Sequence, residues 1–242
     1  MLGYVYKDIA SNKLTIIVSS AGAFFSNLIP ALLMFSDDND VGSTFGALMA
    51  VSLGMTAMFM TSVLTAGVLL TDERKKWAYF VGAAPDGVRQ AVGGKYAFIY
   101  LMAVLTVFIS SVTNSIASDL VEGLPSLLSL YCLAMTLILY LKAIELPFQF
   151  AFGTKAGSYV KAVIVVLMII AVLIYFLFGD LSVLESTDEL FDRIVSFITS
   201  PEYTPIQVLA LGIGMSAVIP VYYISYRISS KVYMRGVQSF EK

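Results

Sequence analysis

Long apolar runs separated by compact basic clusters constrain this chain more than any other feature. A helix that crosses a bilayer needs about 20 predominantly apolar residues. Six segments supply them: residues 14–35, 43–70, 96–115, 124–146, 158–179 and 205–228. Fourteen of the fifteen Lys and Arg residues fall in four places beside these runs. They are Lys7 and Lys13; Arg74, Lys75, Lys76, Arg89 and Lys95; Lys142, Lys155 and Lys161; and Arg227, Lys231, Arg235 and Lys242. The segments around 36–42, 116–126 and 180–204 hold only Arg193 among bases and are otherwise acidic, with Asp37, Asp38, Asp40, Asp119, Glu122, Asp188 and Glu189 among their charges. Because Lys and Arg accumulate in cytoplasmic loops, the expected fold is an all-α membrane protein of six transmembrane helices with both termini in the cytosol.

Composition narrows the function. At 58% hydrophobic and 13% charged residues, most of the apolar ones in uninterrupted runs, the chain needs lipid as well as protein to cover its faces. The net charge of −2 hides a dipolar arrangement, basic on one side and acidic on the other, and nucleic acid is not an expected partner. The first run is too long for a signal-peptide h-region and lacks a small-residue cleavage site, so it reads as a retained anchor. Cys132 is the single cysteine and excludes an intrachain disulfide. With no histidine, the Ser-His and Cys-His nucleophilic couples and the HExxH zinc site are excluded. No phosphate-binding loop occurs: Gly93-Gly94-Lys95 is followed by Tyr96 and has Arg89 where the first glycine would stand. An ATP-driven function therefore needs another polypeptide. Glu145, three residues after Lys142, falls at a helix end, where an exposed pair of this kind contributes about 0–1 kcal/mol.

The most distinctive polar stretch follows the second run, from Thr71 through Asp72, Glu73, Arg74, Lys75, Lys76, Trp77, Ala78, Tyr79, Phe80 and Val81 to Gly82, before Pro85. It predicts a short, separately capped helix over 72–82. Thr71 serves as N-cap, Asp72 and Glu73 suit the positive end of the helix dipole, and Gly82 and Pro85 stop it. Trp77, Phe80 and Val81 fall at i, i+3 and i+4 on one side. Such a helix can anchor at the headgroup level or dock on a protein partner.

The acidic pair followed by Trp77, the small-residue and Pro85 element, Arg89, and Lys95-Tyr96 opening the third run together resemble the ABC-2 type permease family. The likeness is greatest to the small bacterial permeases that include the phenol-soluble modulin exporters. Tyr6-Lys7-Asp8-Ile9, with Lys13 before the first span, is similar to that family's amphipathic elbow over residues 1–13. The resemblance implies a single ABC-2 transmembrane domain over 1–242 in a bacterial cytoplasmic membrane. It makes the 72–82 helix the coupling element, with Asp72, Glu73, Arg74, Trp77, Phe80 and Val81 resting on an ATPase subunit. It also implies two ATPase copies that bind ATP and Mg, with no cofactor in this chain. A second permease copy, identical or paralogous, completes the assembly, and amphipathic or hydrophobic peptides are the cargo.

Two further elements bear on transport. Ser186-Thr187-Asp188-Glu189 forms a capping box ahead of a helix over 187–199, whose Leu190, Phe191, Ile194 and Phe197 make an apolar side. It lies on the outer leaflet, caps an exit, or does both. In the second span Ser52, Thr56, Phe59 and Ser62 share one broad side, with Met55 and Met58 adjacent. Small hydroxyl residues let membrane helices pack closely, and flexible Met suits varied apolar ligands. The resemblance favours placing this stripe on the pathway. Two other classes remain at this stage: a non-transporting membrane scaffold or immunity protein without an ATPase, and a histidine-free membrane enzyme.

Overall fold

The computed structural model describes residues 2–36, 40–74, 81, 86–121, 124, 126–178 and 205–239. They form seven helices: α1 Leu2–Ser11, α2 Lys13–Ser36, α3 Asp40–Arg74, α4 Gly87–Leu120, α5 Leu128–Phe152, α6 Thr154–Phe178 and α7 Pro205–Ser239. Among the described residues there is no strand, in line with the all-α expectation. Four stretches, Lys13–Met34, Gly46–Leu69, Gly87–Leu120 and Leu128–Phe152, are long and apolar enough to cross a bilayer. Helix α6 adds a shorter described apolar stretch, Gly157–Leu167, so the fifth and sixth expected crossings rest on the sequence. Phe108, Ile116, Val163, Leu167 and Ile219 point outward along these helices. Hydrocarbon can cover such faces because a helix satisfies its backbone internally.

The helices are longer than the apolar runs that announced them. Helix α4 begins at Gly87, so Arg89 and Lys95 belong to its first turns rather than to a loop before residue 96. Helix α5 spans Leu128–Phe152, not 124–146, and passes through Pro147. Helix α3 runs past Thr71 to Arg74 without a break, so Thr71 is not an N-cap and Asp72, Glu73 and Arg74 extend α3. Hydropathy falls where charges begin, but a helix continues as long as its backbone bonds do and its charges find partners. Trp77 and Phe80, and the outer-helix residues Leu190, Phe191, Ile194 and Phe197, lie outside the described residues.

Helix α2 packs on α3 and α4, and α5 packs on α6 and α7, with α4 touching both groups. Successive helices alternate in direction, which sorts their ends into two poles. At one, Ala31 and Met34 of α2 meet Ala50 of α3, Ala117 of α4 and Leu127 and Tyr131 of α5. The close approach there depends on Gly54, because a Cβ would come 2.7 Å from the Tyr131 hydroxyl. At the other pole, Leu69 of α3, Val88, Val92 and Tyr96 of α4, and Leu146 of α5 cluster beneath Tyr4 and Tyr233. Most described basic residues gather around this second pole.

Candidate functional site

The basic pole is built around three buried polar assemblies. In the first, Lys95 Nζ of α4 lies 2.7 Å from Asp8 Oδ1 of α1 and 3.4 Å from the Val68 carbonyl of α3. Asp8 and Lys95 are both buried. Lys7 Nζ approaches the same carboxylate oxygen at 3.5 Å. The amphipathic first helix is thus tied to two spans by a shielded ion pair. Gly94 permits the contact: a Cβ on it would sit 2.8 Å from Tyr4 Cβ. Losing one partner of such a pair leaves an uncompensated buried charge, so α1 is held firmly.

The second assembly repairs a backbone defect. Pro147 has no N–H, which leaves the Ala143 carbonyl, four residues earlier in α5, without its helical donor. The Ser225 hydroxyl of α7 donates to that carbonyl at 2.5 Å. Tyr96 Oη lies 2.7 Å from both Ser225 and Ser229. Since the Ser225 proton is committed to Ala143, Tyr96 must donate to Ser225 and accept from Ser229. The result is a directed chain from Ser229 through Tyr96 and Ser225 to Ala143, binding α7, α4 and α5. Around it, Tyr96 meets Tyr222 and Tyr226 edge to face at 4.9 and 5.8 Å and stacks with Phe150 at 6.4 Å. Tyr222 also donates to the Tyr96 carbonyl at 3.1 Å.

The third assembly corrects an expectation. Lys142 and Glu145 are not an exposed helix-end pair: each is 1% exposed. Lys142 Nζ lies 2.9 Å from Glu145 Oε2, off the angle of a hydrogen bond, and Gln149 Nε2 donates to Glu145 Oε1 at 2.6 Å. Gln149 in turn fills the space above Gly157 of α6. Lys161 of α6 donates to the Ser62 hydroxyl of α3 at 3.4 Å. The pair is buried because α5 extends seven residues beyond Glu145, placing it within the packed pole rather than at its rim.

The stripe expected on the second span divides. Ser52, Thr56 and Phe59 lie on an exposed face of α3 that continues through Val63, with Phe59 53% and Val63 59% exposed. Thr56 donates to the Ser52 carbonyl at 2.8 Å and Ser52 to the Met49 carbonyl at 3.1 Å, so both hydroxyls are satisfied within the helix. Met55 and Ser62 turn inward instead: Met55 packs on the core beside Tyr131, and Ser62 is buried. Of the expected coupling residues, Val81 is 2% exposed and joins the Leu69, Val88 and Leu146 cluster.

Sequence reasoning missed Asp8, Lys95 as a buried partner, the Tyr96 chain and the Asn27–Tyr131 bond. A lone Asn in an apolar run and a Pro within a span were the available signals, since each demands a polar partner from another helix. The described residues hold no cluster of three or more His, Cys, Asp or Glu suited to a metal.

No curated protein and no solved structure matches the chain. The model of the family described as ABC-2 family transporter protein, however, matches residues 5–234, from the Asp8 clamp to the end of the α7 network. The chain therefore belongs to the ABC-2 transporter family, as a multi-pass membrane permease component and not a catalytic one.

Proposed function

We propose that the chain is the permease subunit of an ATP-driven exporter, inserted with its basic pole toward the cytosol. It works with two separate ATPase chains, which bind ATP and Mg, and with a second permease copy, identical or paralogous. Family membership supports the ATPase partnership in general. The observation that carries the pathway assignment is the exposed α3 face, where Ser52 and Thr56 are bonded internally beside Phe59 and Val63. Such a face accepts apolar cargo without leaving a polar group stranded. It fits amphipathic or hydrophobic peptides, as the likeness to the modulin exporters implies, or similar apolar compounds.

In this reading, closure of the ATPases moves the 72–82 segment, with Trp77 and Phe80 seated on the ATPase and Asp72, Glu73 and Arg74 at its border. Val81 transmits the movement to the pole, α3 tilts, and the pathway opens outward past the Leu190, Phe191, Ile194 and Phe197 helix. Cysteine placed at Thr56 or Phe59, in a Cys132→Ser background, tests it. Cross-linking between permease copies should change when ATP hydrolysis is trapped, and modification should stop export. Unchanged export from a fully modified protein would remove α3 from the pathway. Orientation is checked separately: cysteines at Asp38, Asp119 and Asp188 should react with an impermeant reagent in intact cells, and those at Lys76 and Lys155 should not.

A further inference from the structure

Helices α4 and α7 enclose two adjoining hollows that share the rings of Tyr223 and Tyr226. The one at the basic pole, about 620 Å³, is lined by Arg89, Arg227, Lys231 and Ser230. The deeper one, about 560 Å³, is lined by Tyr96, Ala97, Tyr100, Val218 and Ile219. The two differ sharply in chemistry. Arg227 lies 6.0 Å from the Tyr223 ring centre, and among the described residues neither it nor Lys231 pairs with a carboxylate. Arg89 has, among the described residues, only Asp86 at 3.9 Å, and that pair is exposed. Ser230 is 5% exposed, and among the described residues its hydroxyl has no hydrogen-bond partner. Among the described residues, three cations with no buried carboxylate beside them suit a ligand that carries negative charge.

We propose that this groove binds an anionic phospholipid from the leaflet at the basic pole. The phosphodiester sits among Arg89, Arg227 and Lys231, and an acyl chain follows α7 inward past Tyr222 and Ile219. From Lys231 to Val218 the helix rises about 20 Å, which matches the run of an acyl chain from its headgroup. Gly93 and Ala97 keep α4 low enough to leave the channel open. Charge at one end and aromatic and aliphatic side chains at the other fit an amphiphile better than a free anion or a neutral lipid. Tyr223 and Tyr226 at the junction suit the headgroup boundary.

Native mass spectrometry of the full chain in neutral detergent tests the assignment, with phosphatidylglycerol and phosphatidylcholine of matched acyl chains as probes. Phosphatidylglycerol should bind more tightly. Arg227→Gln and Lys231→Gln should each weaken it roughly five-fold, and the double variant about 25-fold, as expected when each base near an anionic headgroup contributes independently. The charge-conserving Arg227→Lys with Lys231→Arg should keep binding, and Lys155→Gln should leave it unchanged. Glycerol phosphate should not displace the lipid. Equal affinity for both lipids, an unchanged double variant, or displacement by glycerol phosphate would each overturn the proposal, the last by making the site one for free phosphate. A double variant that loses permease pairing while keeping lipid would overturn it too, making the groove an interface between copies.

Discussion

The two poles hold the same helices together with different chemistry. At the basic pole the contacts are ionised or run in directed hydroxyl chains: Asp8 with Lys95, Lys142 with Glu145, and Ser229 through Tyr96 to Ser225. At the opposite pole they are neutral. Tyr131 donates to Asn27 Oδ1 at 2.5 Å, and Asn114 Oδ1 accepts the Leu127 backbone N–H at 2.8 Å as α5 begins. Ala31, Met34, Met58 and Leu127 surround these bonds with apolar contacts. Neutral bonds inside a membrane protein are modest individually, whereas a buried charge that loses its partner is expensive. One pole is therefore tolerant, and the other all-or-none. An element that must pass mechanical work between helices benefits from the second kind, because its parts move together or not at all.

The sharpest way to break this contrast is at Glu145. Glu145→Ala should cost about 3–5 kcal/mol in a detergent unfolding assay by leaving Lys142 buried and unpaired. Lys142→Met with Glu145→Met should recover most of the loss. Equal costs for the single and double variants would show that the two charges are not coupled. Tyr131→Phe, its counterpart at the neutral pole, should cost about 1–3 kcal/mol because Asn27 keeps an unsatisfied oxygen. Ser225→Ala should cost about 0.6–1.7 kcal/mol, the ordinary range for an interhelical membrane bond. Its loss should largely vanish when Pro147 is replaced by Ala, since the Ala143 carbonyl then regains its helical donor. Smallest of all, Thr56→Val on the open α3 face should change stability by no more than about 0.5 kcal/mol. An export assay should nonetheless register it.

Four long apolar spans were legible from apolar length alone, and the family from the charged and aromatic pattern around Asp72, Trp77 and Lys95. Helix limits were not. Arg89, Lys95, Lys142 and Glu145 read as boundaries because charge lowers hydropathy, but α4 takes in Arg89 while partners bury the other three, and one of those partners, Asp8, is 87 residues from Lys95. That Ser52, Thr56 and Phe59 share one side of α3 followed from spacing, but its openness did not. Met55 and Ser62 did not follow, because which edge of a broad stripe turns inward depends on where Tyr131 and Lys161 arrive from other helices. The Tyr96 chain needed three helices placed before any of its residues could be paired.

The clamp between Asp8 and Lys95 also sets an order of events during synthesis. Asp8 leaves the ribosome 87 residues ahead of Lys95. At translation rates of about 5–20 residues per second, this is a wait of roughly 4–17 s. Through that interval the first helix must rest at the membrane surface with its carboxylate hydrated, while α2 and α3 enter the bilayer without it. Docking of α1 is thus a late step that reports arrival of α4. A chain stalled before Lys95 would present an undocked amphipathic helix to whatever surveys nascent membrane proteins.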